Sequence, residues 1–304
     1  MPYLRLLRVQ QWVKNVFIFA GLVFGGKLTD THSVIWSLLG FACFCLVSSA
    51  AYIFNDVHDR AEDQHHPRKR QRPLAAGQVG VATALALAAA LLVVGLAGSV
   101  LLDGRLLFLV VVLVYVVLQV VYTLWLKHAV LLDVISIGLG FVLRAIAGAV
   151  LVHVEISHWL VWCTFTLCLF LGFSKRRCEL NILAENGEID AARHRKTLSI
   201  YTPDLLNHMT TLTAGIAVVS FMLYATDART VKVFETNYLL YTLPIVVYAI
   251  FRFTVLVEHG EVDGPTDVLL RDRPFQIAIL VWAATTLLIV YRGKMLHDWL
   301  VRAS

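Results

Sequence analysis

Asn55, Asp56, Asp59 and Asp63 are the residues of this chain whose types and spacing most clearly call for chemistry. They follow Val34–Phe54, 21 residues without a charge, long enough to cross the hydrocarbon core of a bilayer. If the helix continues, Asn55, Asp59 and Asp63 recur every four residues with Asp56 between them, on one face. Three carboxylates and an amide placed together repel unless a cation sits among them. Oxygen-only donors suit Mg²⁺, which binds through one or two carboxylates plus substrate phosphates. The segment reads as a membrane-embedded site for a Mg²⁺-bound diphosphate. A helix end that merely reaches water also carries carboxylates, but usually one or two among mixed charges.

Cations cluster nearby. Arg68, Lys69, Arg70 and Arg72 place four basic residues in five positions. Phosphate capture beside the metal and anchoring to anionic headgroups both account for Arg68, Lys69 and Arg72. His58, His65 and His66 read as loop residues, since Mg²⁺ prefers oxygen. Lys127 ends a later apolar span, either as a snorkelling end residue or as a site residue. Asp133 lies a few residues inside the next span, and an ionisable group there points to function. Arg144 follows three helical turns on, with snorkelling and site lining equally weighted. Lys175, Arg176, Arg177 and Glu179 form a dense phosphate-binding candidate, again weighed against membrane anchoring. Arg252, Asp267, Asp272 and Arg273 are explained by short water-exposed loops.

The elements that must hold these residues are membrane helices. Of the 304 residues 59% are hydrophobic and 15% charged, with a mean hydropathy of +0.73. A soluble domain would be about a quarter charged. The net charge of +5 therefore gives no reason to expect nucleic acid. Nine apolar spans are expected, near 15–28, 33–55, 79–102, 105–126, 129–153, 157–174, 203–224, 236–256 and 274–292. Their helical lengths predict an all-α integral membrane bundle rather than a barrel. The chain reads as one polytopic domain, residues 1–304, with the cytoplasmic loops 57–78 and 175–202 carrying most site residues. Seventeen Lys and Arg fall on the side of the N-terminus and seven on the other, so the N-terminus and the acidic motif are expected in the cytoplasm. The start resembles a signal peptide only faintly, and no small-residue cleavage site follows it. The five cysteines form no C-x-x-C pair and read as packing residues. The sequence leaves open whether the chain forms a homo-oligomer.

The sequence resembles the UbiA superfamily of membrane prenyltransferases, and within it the bacterial decaprenyl-phosphate phosphoribosyltransferases. The resemblance rests on Leu7-Arg8-Val9-Gln10-Gln11-Trp12-Val13-Lys14-Asn15, the run from Asn55 to Gly77, Tyr122-Thr123-Leu124-Trp125-Leu126-Lys127, Gly140-Phe141-Val142-Leu143-Arg144 and Lys175-Arg176-Arg177-Cys178-Glu179-Leu180. The acidic motif alone specifies only the superfamily; the set is more specific. Members that use prenyl diphosphates carry a second Asp-rich motif where this chain has basic Lys175–Glu179.

The resemblance implies a UbiA-type bundle around a cytoplasm-facing cavity, in a bacterial plasma membrane. It implies Mg²⁺-dependent transfer of 5-phosphoribose from 5-phosphoribosyl 1-diphosphate to a polyprenyl phosphate, decaprenyl phosphate by the closer likeness. Asn55, Asp56, Asp59 and Asp63 would hold the metal, with Asp56, Asp59 and Lys127 catalytic. Lys14, Asp63, Arg68, Lys69, Arg72, Tyr122, Asp133, Lys175, Arg176, Arg177 and Glu179 would bind substrate and phosphate. Two alternatives stay open: prenyl transfer from a diphosphate to an aromatic or other acceptor, and a transporter or lipid-binding scaffold.

Overall fold

The structure is a computed structural model that describes residues 2–65, 69–103, 105–185, 198, 200–262 and 264–303. Among the described residues the regular elements are all helical. That follows from the composition, because in lipid every backbone N–H and C=O must be satisfied within its own segment. Among the described residues, seven segments are long and apolar enough to cross a membrane: Thr31–His58, Val81–Leu102, Leu107–Leu124, Leu132–Leu151, Pro203–Thr226, Tyr238–Glu258 and Arg273–Met295. The chain is a multi-pass membrane protein. Two of the nine expected spans are not among those seven. Span 15–28 falls on Val9–Phe24, a shorter apolar segment that begins as a 3₁₀ helix. Span 157–174 falls on the helix His158–Glu185.

The chain divides into two compact units, residues 1–129 with 139–155, and residues 130–138 with 156–304. The first contains α1 (Pro2–Leu6), the 3₁₀ helix Val9–Ile18, α2 (Phe19–Phe24), α3 (Thr31–His58), α4 (Arg60–His65), α5 (Val81–Leu102), α6 (Leu107–Leu124) and most of α7 (Leu132–Leu151). Asp30 caps α3, its carboxylate accepting from the N–H groups of His32 and Ser33 at 3.2 and 3.3 Å. Half of the α3 window is buried against 17% for α5. So α3 is an inner helix of this unit, as is α7 at 61%, while α5 is mostly exposed, as a helix packed against lipid would be. Phe44, Val47, Phe108, Val112, Tyr115 and Ala147 make a fully buried core. Gly148 admits the Val9–Ile18 segment: a Cβ there would collide with the Ile18 carbonyl. Close backbone approach through glycine is a common basis of helix contact in lipid.

The second unit holds the first turns of α7, α8 (His158–Glu185), α9 (Pro203–Thr226), α10 (Ala228–Phe234), α11 (Leu243–Glu258), α12 (Pro265–Arg271) and α13 (Arg273–Ala303). Phe170, Cys178, Ile250, Phe253, Leu256, Val257 and Val268 form its main core. Here the structure departs from an expectation. Lys175–Glu179 is not in a loop: α8 runs on through it to Glu185. The residues after the apolar run, Cys178-Glu179-Leu180-Asn181-Ile182-Leu183-Ala184-Glu185, contain no Gly or Pro, so nothing local stops the helix where hydropathy falls.

Candidate active site

The end of α3 is built around carboxylates that already hold cations. Asp56 is 2% exposed and Asp63 3%. Arg8 Nε donates to Asp56 Oδ2 at 3.1 Å, and its Nη2 bonds Oδ1. Arg72 Nη1 donates to Asp56 Oδ1 at 3.1 Å and to Asp63 Oδ2 at 2.6 Å. Lys127, 7% exposed, pairs with Asp59 Oδ1 and lies 3.3 Å from His58 Nδ1. Asn55 Nδ2 donates to Asp59 Oδ2 at 3.0 Å, and Thr123 Oγ1 donates to Asn55 Oδ1 at 3.3 Å.

The expected single face of four oxygen donors is thus two pairs. Asp56 and Asp63 share Arg72, while Asn55 and Asp59 bond each other and meet Lys127. Regular helix stops at His58 because Asp59 adopts φ −87°, ψ 2°, and α4 restarts at Arg60. The i to i−4 bonds from Asp59 and Asp63 still form, at 2.9 and 2.8 Å, so the register survives the break. Among the described residues no three His, Cys, Asp or Glu side chains converge as a ready-made metal cage. Two pairs of oxygen donors nevertheless fit Mg²⁺, which takes one or two carboxylates and completes its shell from phosphate and water. Burial raises the Asp59 carboxyl, but the bonds from Lys127 and His58 outweigh it and hold it below the ordinary value of 3.8. The carboxylate is therefore ionised at neutral pH, as a metal ligand must be.

The N-terminal motif is fixed on α3 by polar bonds. Trp12 Nε1 donates to Ser49 Oγ at 3.0 Å, and Ser49 Oγ donates to the Leu7 carbonyl at 2.8 Å. Asn15, fully buried, donates to Ser48 Oγ at 3.1 Å and Cys45 Sγ at 3.2 Å. This docking brings Arg8 to Asp56. It also presents Asn15 Oδ1 to Arg144 Nε, 2.7 Å away.

In the second unit Asp133 is fully buried and Arg176 is 2% exposed. Arg176 Nε donates to Asp133 Oδ2 at 3.0 Å, and Nη1 to Glu179 Oε2 at 2.5 Å. Tyr201 OH donates to Asp133 Oδ1 at 2.9 Å while accepting from the Leu131 N–H at 2.8 Å. Burial, with Asp133 beside it, pushes the Tyr201 hydroxyl up to about 12, so it keeps the proton it donates. Arg177 reaches Asn207 Oδ1 at 3.0 Å, Asn181 Oδ1, and Glu258 at 3.6 Å. Lys175 has an exposed side chain, 53%, with Glu179 at 3.9 Å.

The structure therefore brings together Asp56, Asp59, Asp63, Asn55, Arg72 and Lys127 of the predicted residues in one unit. In the other it joins Asp133, Arg176 and Glu179. Lys69 sits half-buried in the 3₁₀ turn Lys69–Gln71, and Tyr122 half-buried near the end of α6. The expectation for Arg68 falls outside the described residues. Sequence reasoning did not single out Arg8, Asn15, Thr123 or Tyr201 as site neighbours. Arg8 and Asn15 did lie inside the N-terminal run that carried the family resemblance. Nothing local marks Tyr201, which meets Asp133 across 68 residues. Arg252 and Asp272, read as loop residues, form a two-bond pair at 3.2 and 2.6 Å.

Comparison with known proteins agrees with this architecture. A model of the UbiA prenyltransferase family matches residues 15–280. The decaprenyl-phosphate phosphoribosyltransferase of Corynebacterium glutamicum is 31% identical over 290 residues, 95% of this chain and 86% of that protein. The protein of that name from Mycobacterium tuberculosis is 34% identical over 287 residues, 92% of this chain and 91% of that one. A UbiA homolog from Archaeoglobus fulgidus, solved bound to GPP and Mg²⁺, superposes with a TM-score of 0.70 at 21% identity, covering 95% of this chain and 99% of its own. That last likeness establishes the fold alone.

Proposed function

The chain belongs to the UbiA prenyltransferase family, and from that premise we propose that it is a polyprenyl-phosphate phosphoribosyltransferase. It transfers 5-phosphoribose from 5-phosphoribosyl 1-diphosphate to a polyprenyl phosphate and releases diphosphate. The observation that carries this reading over prenyl transfer is the basic stretch Lys175–Arg177, set where prenyl-diphosphate users carry a second acidic motif, in a chain about a third identical to phosphoribosyltransferases along most of its length.

In this reading the oxygen of the lipid phosphate forms a bond to C1 of the ribose as the C1–O bond to diphosphate breaks. The phosphate oxygen is already anionic, so no proton has to be removed, and catalysis rests on positioning and charge stabilisation. Asn55, Asp56, Asp59 and Asp63 would hold Mg²⁺, which supplies charge neutralisation to the leaving diphosphate. Arg72 and Lys127 add positive charge beside those carboxylates. Lys175 is the exposed cation of its cluster and binds a substrate phosphate. Arg176 and Arg177 position it, because their own charge is matched by Asp133, Glu179 and Glu258. Lys14, Arg68, Lys69 and Tyr122 complete the substrate contacts. With nine crossings, the 17-to-7 excess of Lys and Arg on the side of the N-terminus would put the N-terminus and the acidic motif in the cytoplasm of a bacterial cell, where the charged donor is made.

The test uses purified protein in detergent, 5-phosphoribosyl 1-diphosphate labelled in the ribose, and a panel of polyprenyl phosphates. Label moves into the lipid with release of diphosphate, and EDTA stops it. Absence of labelled lipid across the panel, with Mg²⁺ present, would overturn the reading.

A further inference from the structure

Among the described residues, Arg144 is a buried charge with no carboxylate paired to it. It is 3% exposed and lies twelve residues into α7. Its Nε donates to Asn15 Oδ1 at 2.7 Å, its Nη1 to the Gly140 carbonyl at 2.8 Å, and its Nη2 to Tyr115 OH at 2.8 Å. All three acceptors are neutral. The guanidinium also lies 4.7 Å from the centre of the Tyr115 ring and 5.3 Å from that of Phe141, which offsets part of its charge. It cannot lose its proton to escape the cost of burial.

The contrast with the rest of the molecule is sharp. The other buried cations among the described residues have carboxylates: Lys127 has Asp59, and Arg176 has Asp133 and Glu179. Arg8, partly exposed, has Asp56. Lys14 is half-buried and immediately precedes Asn15, the residue whose Oδ1 accepts from Arg144. Among the described residues no carboxylate pairs with Lys14, and its charged neighbours are Arg144 and Arg8, both positive. Two neighbouring cations without counter-charge in a membrane protein are unfavourable on their own, and such intramembrane charge ordinarily marks a ligand path.

We propose that Lys14 and Arg144 form an anion subsite in the first unit that takes a phosphate monoester, with Asn15, Tyr115 and the Gly140 carbonyl holding the guanidinium in place. This deepens the phosphoribosyltransferase reading and rests on it. Both substrates carry such a group: the donor at its 5-position and the polyprenyl phosphate at its head. A monoester dianion supplies the two negative charges that the pair lacks. The diphosphate is a different group, assigned to the acidic end of α3.

The experiment measures binding of ribose 5-phosphate, farnesyl phosphate and Mg²⁺-pyrophosphate to wild type, Lys14→Gln and Arg144→Lys in detergent. We expect one monoester to weaken about tenfold or more in both variants. Pyrophosphate should bind them as it binds wild type, which also reports that they are folded. Loss of ribose 5-phosphate assigns the subsite to the donor, and loss of farnesyl phosphate assigns it to the acceptor. Lys14→Gln decides alone if Arg144→Lys does not fold. Unchanged binding of both monoesters by Lys14→Gln, in protein whose wild type transfers phosphoribose, would overturn the subsite and leave the functional reading standing. Wild type that binds neither monoester and transfers nothing would overturn both.

Discussion

Arg72 Nη1 donates to Asp63 Oδ2 at 2.6 Å while the same nitrogen reaches Asp56 Oδ1 at 3.1 Å, so one guanidinium ties α4 to the last turn of α3. Both carboxylates are almost wholly buried. Without the guanidinium they face each other as like charges. Arg72→Gln is expected to cost about 3 kcal/mol of stability in EDTA, the scale for breaking a buried pair. Mg²⁺ should recover part of that loss by replacing the missing charge. Thermal unfolding of wild type and variant, with and without Mg²⁺, checks this; a gap that Mg²⁺ leaves untouched would argue against a metal at these carboxylates.

Asp56→Asn and Asp59→Asn keep the side-chain shape and remove one negative charge each. Either change is expected to abolish turnover while the protein still elutes as a single folded species. Turnover measured against Mg²⁺ concentration is the check, and near wild-type rates in both variants would exclude the metal role.

Lys175 and Arg176 are adjacent in sequence and should behave oppositely. Arg176→Gln leaves Asp133 buried without its cation and is expected to destabilise by about 3–5 kcal/mol. Lys175→Gln should leave stability unchanged and weaken donor or acceptor binding about tenfold, as expected for one lost charge-assisted bond. Denaturation and ligand titration on the two variants separate the roles. A Lys175→Gln protein that binds every substrate normally would reduce that lysine to a membrane anchor.

Asp272 joins the start of α13 to Arg252 of α11. Its carboxylate also accepts the Phe275 N–H at 2.8 Å. The Arg252 guanidinium holds its carboxyl below the ordinary 3.8. A depressed carboxyl stabilises the fold above its unfolded value and loses that contribution as pH falls through its folded value. Wild type should therefore unfold at a higher temperature than Asp272→Asn near neutral pH. The difference should shrink only once pH drops below 3.8. An equal difference at both pH values would show that the pair's charge is not what stabilises.

Sidedness has its own check. In a cysteine-free background, a Gln64→Cys variant should resist a membrane-impermeant thiol reagent in intact cells and react in inverted vesicles. Gln64 is exposed on α4, next to the acidic residues. Reaction from outside intact cells would place the acidic motif on the wrong face for a cytosolic donor.

Much of this was legible from sequence where the signal is local. The uncharged run into Asn55 and Asp56 marked both the helix and its functional end, because hydropathy and four-residue spacing are read within one segment. The family was legible from several motifs taken together. What one segment cannot show is which distant charge meets which. Arg8 finds Asp56 across 48 residues, and Asn15 finds Arg144 across 129. Those pairings exist because Trp12 and Asn15 dock the N-terminal turn on α3, a tertiary event. Arg144 stood between snorkelling and lining; at 3% exposure with three acceptors around it, it does not snorkel. Arg176 and Lys175 looked alike as cations. Only the burial of Asp133 separates a structural guanidinium from an exposed ammonium. The break at Asp59 was also hidden, since nothing in Asp59-Arg60 forbids a continuous helix.

The central claim is that this chain moves phosphoribose and not a prenyl group, and one competition decides it. Purified protein with Mg²⁺ and a polyprenyl phosphate is offered 5-phosphoribosyl 1-diphosphate and geranylgeranyl diphosphate together, and the lipid products are weighed by mass spectrometry. The account predicts one new lipid, the polyprenyl phosphate heavier by a single phosphoribosyl group, formed in step with released diphosphate and absent in EDTA. A product carrying an added geranylgeranyl group, with the phosphoribosyl donor left intact, would contradict it.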